Sequence, residues 1–272
     1  MTHRIGPERQ ECAVTVIGGP TTVIDIGGLR IVTDPTFDPP GPKGYLTKLE
    51  GPVASEEDLG AVDVVLVSHD QHLDNLDDRG RAFALAAPVV LTGPVSAGRL
   101  GAPAAGVAPW STYEVPRADG AGKLEVWAVP AVHGPEDGAR DDEGHVNGEV
   151  TGFVVSGQGL PRVYVSGDNA SIGTVAEIAR RLPPIDVAVL FIGAARVPRK
   201  DGGRPLTLTS ERAAAAAAVL GVPVVIPAHY DGWAHFTQGW TDIERAFDDA
   251  GLSRILRGAE HGEWIKLPVR GT

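Results

Sequence analysis

Eight consecutive residues, Ser68-His69-Asp70-Gln71-His72-Leu73-Asp74-Asn75, carry two imidazoles, two carboxylates and two amides, and they follow directly on the apolar stretch 62–67. So dense a polar run makes a poor core and an unusual turn. It makes sense as a loop folded around a cation, with imidazole as borderline donor and carboxylate as hard donor. His133, Asp168 and His229 each stand just past another apolar run. One histidine at a strand end is more often a hydrogen-bonded structural residue than a ligand. Four such residues on four separate strands reverse those odds, because ligand sites in layered α/β proteins gather where loops converge at strand ends. The lone cysteine, Cys12, excludes a multi-cysteine site, so ligation falls to nitrogen and oxygen. Zinc is the expected metal, as one or two ions, with manganese or iron behind it.

The chemistry follows from the ligands. A cation held by neutral histidines keeps most of its charge, and its bound water ionises near pH ~7. Asp74 is the carboxylate expected to orient or deprotonate that water, and it could equally cap the helix that follows. His235 is a candidate proton donor to a leaving group. Tyr230 and Trp233, in the aromatic segment after His229, are read either as one wall of a substrate pocket or as a packing cluster. Asp34 could hold a ligand histidine from behind or simply form an Asp-Pro turn. His261 has a possible supporting or substrate role. His145 is the rival to His133, and His3 receives no role.

These residues need elements to position them. Short β-branched runs at 13–17, 22–26 and 29–33, parted by Gly18-Gly19-Pro20 and Gly27-Gly28, predict consecutive antiparallel strands. The stretch 62–67 predicts a buried strand, 76–87 a helix, 88–91 a strand, and 124–132 a longer strand ending at His133. Strands at 152–156 and 162–165 follow, the second running into Ser166-Gly167-Asp168. Helix 171–182, strand 186–192, helix 210–220, strand 222–226 and a short strand at 264–267 complete the pattern. Possible capping boxes open a short helix at Ser55-Glu56-Glu57-Asp58 and another at Thr241-Asp242-Ile243-Glu244, to about residue 250. Strands first and β–α alternation afterwards predict an α/β protein with two sheets and outer helices, residues 1–272 forming one domain. The loops at 35–51, 134–149 and 196–208 should shape the substrate pocket. The basic residues Arg196, Arg199, Lys200 and Arg204 in the last of these could attract an anion, although a solvated loop is the plainer reading.

Composition narrows the partners. The net charge of −11 argues against binding nucleic-acid backbones. No stretch has the apolar length needed to enter a bilayer as a span. The N-terminal residues lack the apolar run of a secretory signal. A single cysteine fits a reducing compartment, so the expectation is a soluble, cytoplasmic protein acting on a small molecule. Nothing in the sequence decides its oligomeric state.

Together, the segments 18–35, 68–77, 130–134, 150–153, 166–168 and His229 resemble the metallo-β-lactamase-fold hydrolases. Within them the chain is similar to the branch of ascorbate-phosphate lactonases and N-acyl-phosphatidylethanolamine phospholipases. The resemblance implies a four-layer αββα sandwich with a metal site along one edge. The family signature, His-x-His-x-Asp-His, is altered here. His69 matches its first position, Gln71 falls at the second histidine, and His72 comes one residue late. With one residue inserted, His69, His72 and His133 hold a first metal, while Asp74, Asp168 and His229 remain for a second, bridged by Asp168. Asn75 then replaces a histidine of the second site, which predicts one tightly held ion and a weak or empty second position. The alternative is that Gln71 reaches the metal and His72 turns away. The activity implied is hydrolysis of a small ester, lactone, amide or phosphoester. Competing readings are an iron-dependent oxidoreductase on the same fold and a degenerate metal-binding regulatory protein.

Overall fold

A computed structural model describes residues 5–136, 147–198, 200–258 and 260–267. The chain opens with β1 (Cys12–Gly18), β2 (Thr21–Ile26) and β3 (Leu29–Thr33), paired antiparallel as expected. All six residues of β2 are buried, because one face meets the second sheet and the other lies under helices and loops. Asp25 survives there through its cross-strand neighbour. Arg30 Nε and a terminal guanidinium nitrogen each donate to one Asp25 carboxylate oxygen at 2.8 Å, both side chains fully buried. Removing one member of such a pair strands a buried charge and costs about 3–5 kcal/mol.

The loop 35–51, expected to be irregular, contains the small hairpin β4 (Gly41–Lys43) and β5 (Leu46–Lys48). Ser55–Asp58 forms a turn instead of starting a helix. The Asp58 carboxylate takes both the Ser55 N–H and the Ser55 hydroxyl at 2.8 and 2.9 Å, and this closes the segment on itself. Next come β6 (Val64–Leu66), α1 (Asp78–Ala86), β7 (Val89–Thr92), α2 (Pro94–Leu100) and β8 (Ala104–Gly106). Helix α1 starts two residues later than predicted because Asp77 caps it, accepting from Gly80 N at 2.8 Å.

The second sheet is built from β9 (Thr112–Pro116), β10 (Lys123–Pro130), β11 (Thr151–Gly157) and β12 (Val163–Val165), then β13 (Val187–Phe191) and β14 (Val224–Ala228). Helices α3 (Ile172–Arg181), α4 (Ser210–Leu220) and α5 (Trp240–Asp249) cover its outer face. Helix α5 begins before the predicted capping box. Gly239 is its N-cap, and Asp242 reaches back to the Gly239 N–H at 3.2 Å. Strand β14 tolerates Pro227 because it lies at the edge of its sheet, where its outer side is met by the isolated bridge between Val225 and Leu256. The last strand, β15 (Ile265–Lys266), pairs with β1.

Among the described residues the first sheet runs β15-β1-β2-β3-β6-β7-β8 and the second β14-β13-β12-β11-β10-β9. Their inner faces share one core that includes Ile24, Ile31, Val126, Phe153 and Val189. Helices α1 and α2 pack outside the first sheet. The result is the αββα arrangement of the metallo-β-lactamase fold. The strand directions then decide where the polar residues go. Strands β10, β12 and β14 run the same way, so His133, Asp168 and His229, just past their ends, emerge at one edge. Parallel strands β3 and β6 bring Asp34 and His69 out together in the same manner. No described helix is long and apolar enough to cross a membrane.

Candidate metal centre

The loop after β6 delivers two histidines in opposite senses. Ser68 N donates to Asp34 Oδ1 at 2.6 Å, and Ser68 Oγ sits 3.0 Å from His69 Nδ1, which leaves His69 Nε2 facing the centre. The backbone then turns, with Leu76 N donating to His72 O at 3.0 Å, and His72 presents its Nδ1 instead. His72 Nδ1 lies 3.0 Å from His69 Nε2 and 3.1 Å from His133 Nε2. The three rings stand nearly perpendicular to one another, at 87–89°. Asp168 Oδ2 closes the group, 3.4 Å from His133 Nε2 and 4.0 Å from His69 Nε2.

His72 is one of this group, while Gln71 is exposed. Asp70 points the other way and accepts from Arg99 Nε of α2 at 3.0 Å to both carboxylate oxygens, so it anchors the loop. Gly167 explains why the Asp168 loop comes so close. Its φ of +55° suits glycine, and a Cβ there would lie 2.8 Å from Ser68 Cβ.

A second set consists of Asp74, Asp168 and His229. His229 Nε2 lies 3.4 Å from Asp74 Oδ2 and 3.5 Å from Asp168 Oδ1. Its ring stacks on Phe191 at 5.0 Å, and its backbone takes φ +57°, a conformation unusual for a non-glycine residue. Two hydrogen bonds hold that backbone, His229 N to Gly19 O at 2.7 Å and Gly193 N to His229 O at 2.9 Å. Asn75 also stands here, but its Nδ2 donates to Asp168 Oδ1 at 3.0 Å. His235 Nε2 lies 2.9 Å from Asp74 Oδ2.

The electrostatics separate these groups. Burial drives His69 and His133 well below the usual histidine range, and the neighbouring His72 adds to the effect. Burial takes His72 down to about 4 against the pull of Asp74. All three are therefore neutral at pH 7, as ligands must be. Burial raises Asp168 to about 6, opposed by His229. Burial opposes the charge of Asp74 too, but its contacts with His229 and His235 prevail and hold it well below the carboxylate range. The opposite balance holds at His229, where the carboxylates of Asp168 and Asp74 outweigh burial and raise the imidazole.

A cation fits this donor set. Three ring nitrogens and a carboxylate converge, and neutral imidazoles with one N–H each cannot satisfy all these lone pairs among themselves. Among the described residues, both ring nitrogens of His229 are buried without a hydrogen-bond partner, as is Asn75 Oδ1.

The structure places the remaining sequence candidates elsewhere. Asp34 reaches His69 through Ser68; burial lifts its carboxyl to about 7, and its Oδ2 has no hydrogen-bond partner among the described residues. Trp233 is only 2% exposed and packs under Lys48, which lies 5.5 Å from its ring centroid. Tyr230 and His261 border a separate crevice with Trp240, and His261 Nε2 stands 3.1 Å from Asp231 Oδ2. The packing reading therefore describes Tyr230 and Trp233, and His261 lies apart from the metal ligands. His145, His3 and Arg199 fall outside the described residues. The cleft above the histidines is instead lined by Tyr45, Leu46, Lys200, Leu206 and His235. Lys200 and His235 were singled out from the sequence, whereas Tyr45, Leu46 and Leu206 were missed as individual residues, although they lie on two of the loops expected to shape the pocket.

Residues 29–230 match the family model described as a beta-lactamase superfamily domain, and the chain belongs to this family. A 135-residue stretch is 30% identical to the UPF0173 metal-dependent hydrolase of Thermococcus kodakarensis, covering 50% of this chain and 53% of that protein. The N-acyl-phosphatidylethanolamine-hydrolyzing phospholipase D 1 of Caenorhabditis elegans is 28% identical over 208 residues, 66% of this chain and 53% of that protein. The chain thus spans about half the length of these two curated relatives. Among solved structures, an isothiocyanate hydrolase from Delia radicum gut bacteria superposes with a TM-score of 0.79 at 18% identity, covering 94% of this chain and 99% of that one. That likeness is one of fold.

Proposed function

We propose that this chain is a metal-dependent hydrolase of a small ester, lactone, amide or phosphoester, with zinc as its cation. The observation that carries the reading is the convergence of His69 Nε2, His72 Nδ1 and His133 Nε2 beside Asp168. Two of the relatives bear the names of a metal-dependent hydrolase and a phospholipase, and the second favours a phosphoester among these substrates.

A bound divalent cation supplies a Lewis acid and an acidified water. His69, His72, His133 and Asp168 would hold it. Ser68, fixed by Asp34, keeps the His69 ring turned so that Nε2 faces inward. Asp74 stays ionised and orients His235, whose Nε2 lies 2.9 Å from it. His235 receives the proton lost by the attacking water and returns it to the leaving oxygen or nitrogen. Leu46 and Leu206 line the same cleft with apolar surface, which limits competing water. Zinc is preferred to iron because these donors are mainly imidazole, and Asn75 adds no carboxylate.

Elemental analysis of the purified chain, paired with assays on nitrophenyl esters, lactones and phosphoesters, tests the proposal. About one zinc per chain is expected, with turnover abolished by a chelator and restored by zinc. Iron in place of zinc would favour an oxidoreductase. Failure to retain any metal, even with metal supplied during purification, would sink the enzyme reading.

A further inference from the structure

The basic residues of the 196–208 loop part company on folding. Arg196 spends a terminal nitrogen on Gly203 O at 2.8 Å, and Arg204 is also engaged. Lys200 instead reaches the cleft that holds His72, His133 and Asp168. Its Nζ donates to Asn147 Oδ1 at 3.2 Å and to Tyr45 OH at 3.3 Å, and lies 5.0 Å from the Tyr45 ring centroid. The far end of Asn147, Nδ2, is 3.4 Å from His133 Nδ1, which ties the ammonium to the metal centre through one neutral amide.

The partners are what make Lys200 informative. An ammonium has three N–H donors, and among the described residues two of them meet neutral groups while none meets a carboxylate. A carboxylate partner would have cancelled the charge, whereas a neutral amide and phenol position it and leave it open to an incoming anion. The chain carries a net charge of −11, so a cation beside its cleft with no carboxylate partner among the described residues runs against the general character of its surface. Tyr45 is 61% exposed as a residue, and its hydroxyl beside Lys200 stays protonated because burial and the carboxylates of Asp74 and Asp168 raise its pKa.

We infer that Lys200 and Tyr45 form a recognition site for an anionic oxygen, so that the substrate carries a phosphate or carboxylate group next to the bond that is cut. This rests on the hydrolase reading for its chemistry but on the cleft alone for its binding. The 134–149 and 196–208 loops then cooperate, since Asn147 on one fixes Lys200 on the other.

The test uses zinc-loaded wild type and the variants Lys200→Met, Lys200→Gln and Tyr45→Phe, compared at equal zinc content. Each is titrated calorimetrically with inorganic phosphate. Turnover is then measured on bis(4-nitrophenyl) phosphate, which is anionic, and on 4-nitrophenyl acetate, which is neutral. Loss of a charge-assisted hydrogen bond should raise the phosphate Kd by about tenfold or more in both Lys200 variants, and by less in Tyr45→Phe. The ratio of kcat/KM for the anionic over the neutral substrate should fall by a similar factor. An unchanged phosphate Kd in both Lys200 variants would mean the metal alone holds the anion and would overturn the inference, as would a wild type that does not bind phosphate. If wild type hydrolyses neither ester, the hydrolase reading fails while the titration still decides on the anion site.

Discussion

The two candidate cation sets share Asp168 but use it differently. Its Oδ2 faces His69 and His133, whereas its Oδ1 faces His229 and is already hydrogen-bonded by Asn75 Nδ2 at 3.0 Å. The first set thus has three neutral imidazoles and an open carboxylate oxygen. The second has one imidazole, the Asp74 carboxylate in contact with His235, and an Asp168 oxygen occupied by an amide N–H. A histidine at position 75 would offer a lone pair there; asparagine offers a proton. One residue can therefore decide whether a shared carboxylate bridges two cations or serves one.

The largest expected effect separates His72 from Gln71. His72→Ala should abolish metal retention in the first set, a loss greater than the roughly 100-fold that removing an outer partner costs, while Gln71→Ala leaves metal content unchanged. Elemental analysis of both variants decides it, and the reverse pattern would move the ligand to Gln71. His235 touches the second set through Asp74, so His235→Ala should keep its metal and lose on the order of 10²-fold or more in kcat. Unchanged turnover would remove His235 from the mechanism.

Ser68→Ala tests the support behind the first set alone. It frees the His69 ring and should weaken zinc binding by about 10–100-fold, read by competition with a chelating dye. Asn75→His sharpens the comparison from the other side. It should raise the metal content from about one toward two ions per chain, and a variant that still binds one would locate the weakness of the second set elsewhere.

The smallest effect is in pH. A cation binds the ionised form of Asp168, whose pKa is raised to about 6 in the metal-free protein. Zinc affinity should therefore be flat above that pH and fall about tenfold per unit as pH drops through it. Protons reach His72 only near 4, so a second step in the affinity curve belongs there. Affinity already falling between pH 8 and 7 would contradict this assignment.

Most of the fold was legible because hydrophobic runs bounded by glycine and proline carry a strong local signal. The runs at 13–17, 22–26 and 29–33 became β1, β2 and β3 almost residue for residue. Helix α2 and strands β8 and β9 were not legible. Pro94–Leu100 is short and follows a glycine, Ala104–Gly106 has no alternating pattern, and four of the five residues of β9 are exposed. Asp70 lies within the 68–75 run read as a loop around a cation, yet it serves Arg99, a partner 29 residues away.

What the sequence determined by itself is the supply of donors. Histidine and aspartate at the ends of apolar strands, with one cysteine in the chain, restrict the chemistry to nitrogen and oxygen ligands around a cation. Only the tertiary structure decided which donors meet. Parallel β10, β12 and β14 carry residues as far apart as 133 and 229 to one edge, and the turn after His69 brings His72 Nδ1 to 3.0 Å from His69 Nε2 while Gln71 stays exposed. The same is true of Lys200 and Tyr45, whose meeting depends on two loops closing over the edge. Side-chain identity is written locally, but a metal or anion site is a matter of distances near 3 Å, and those are set by how distant strands pack.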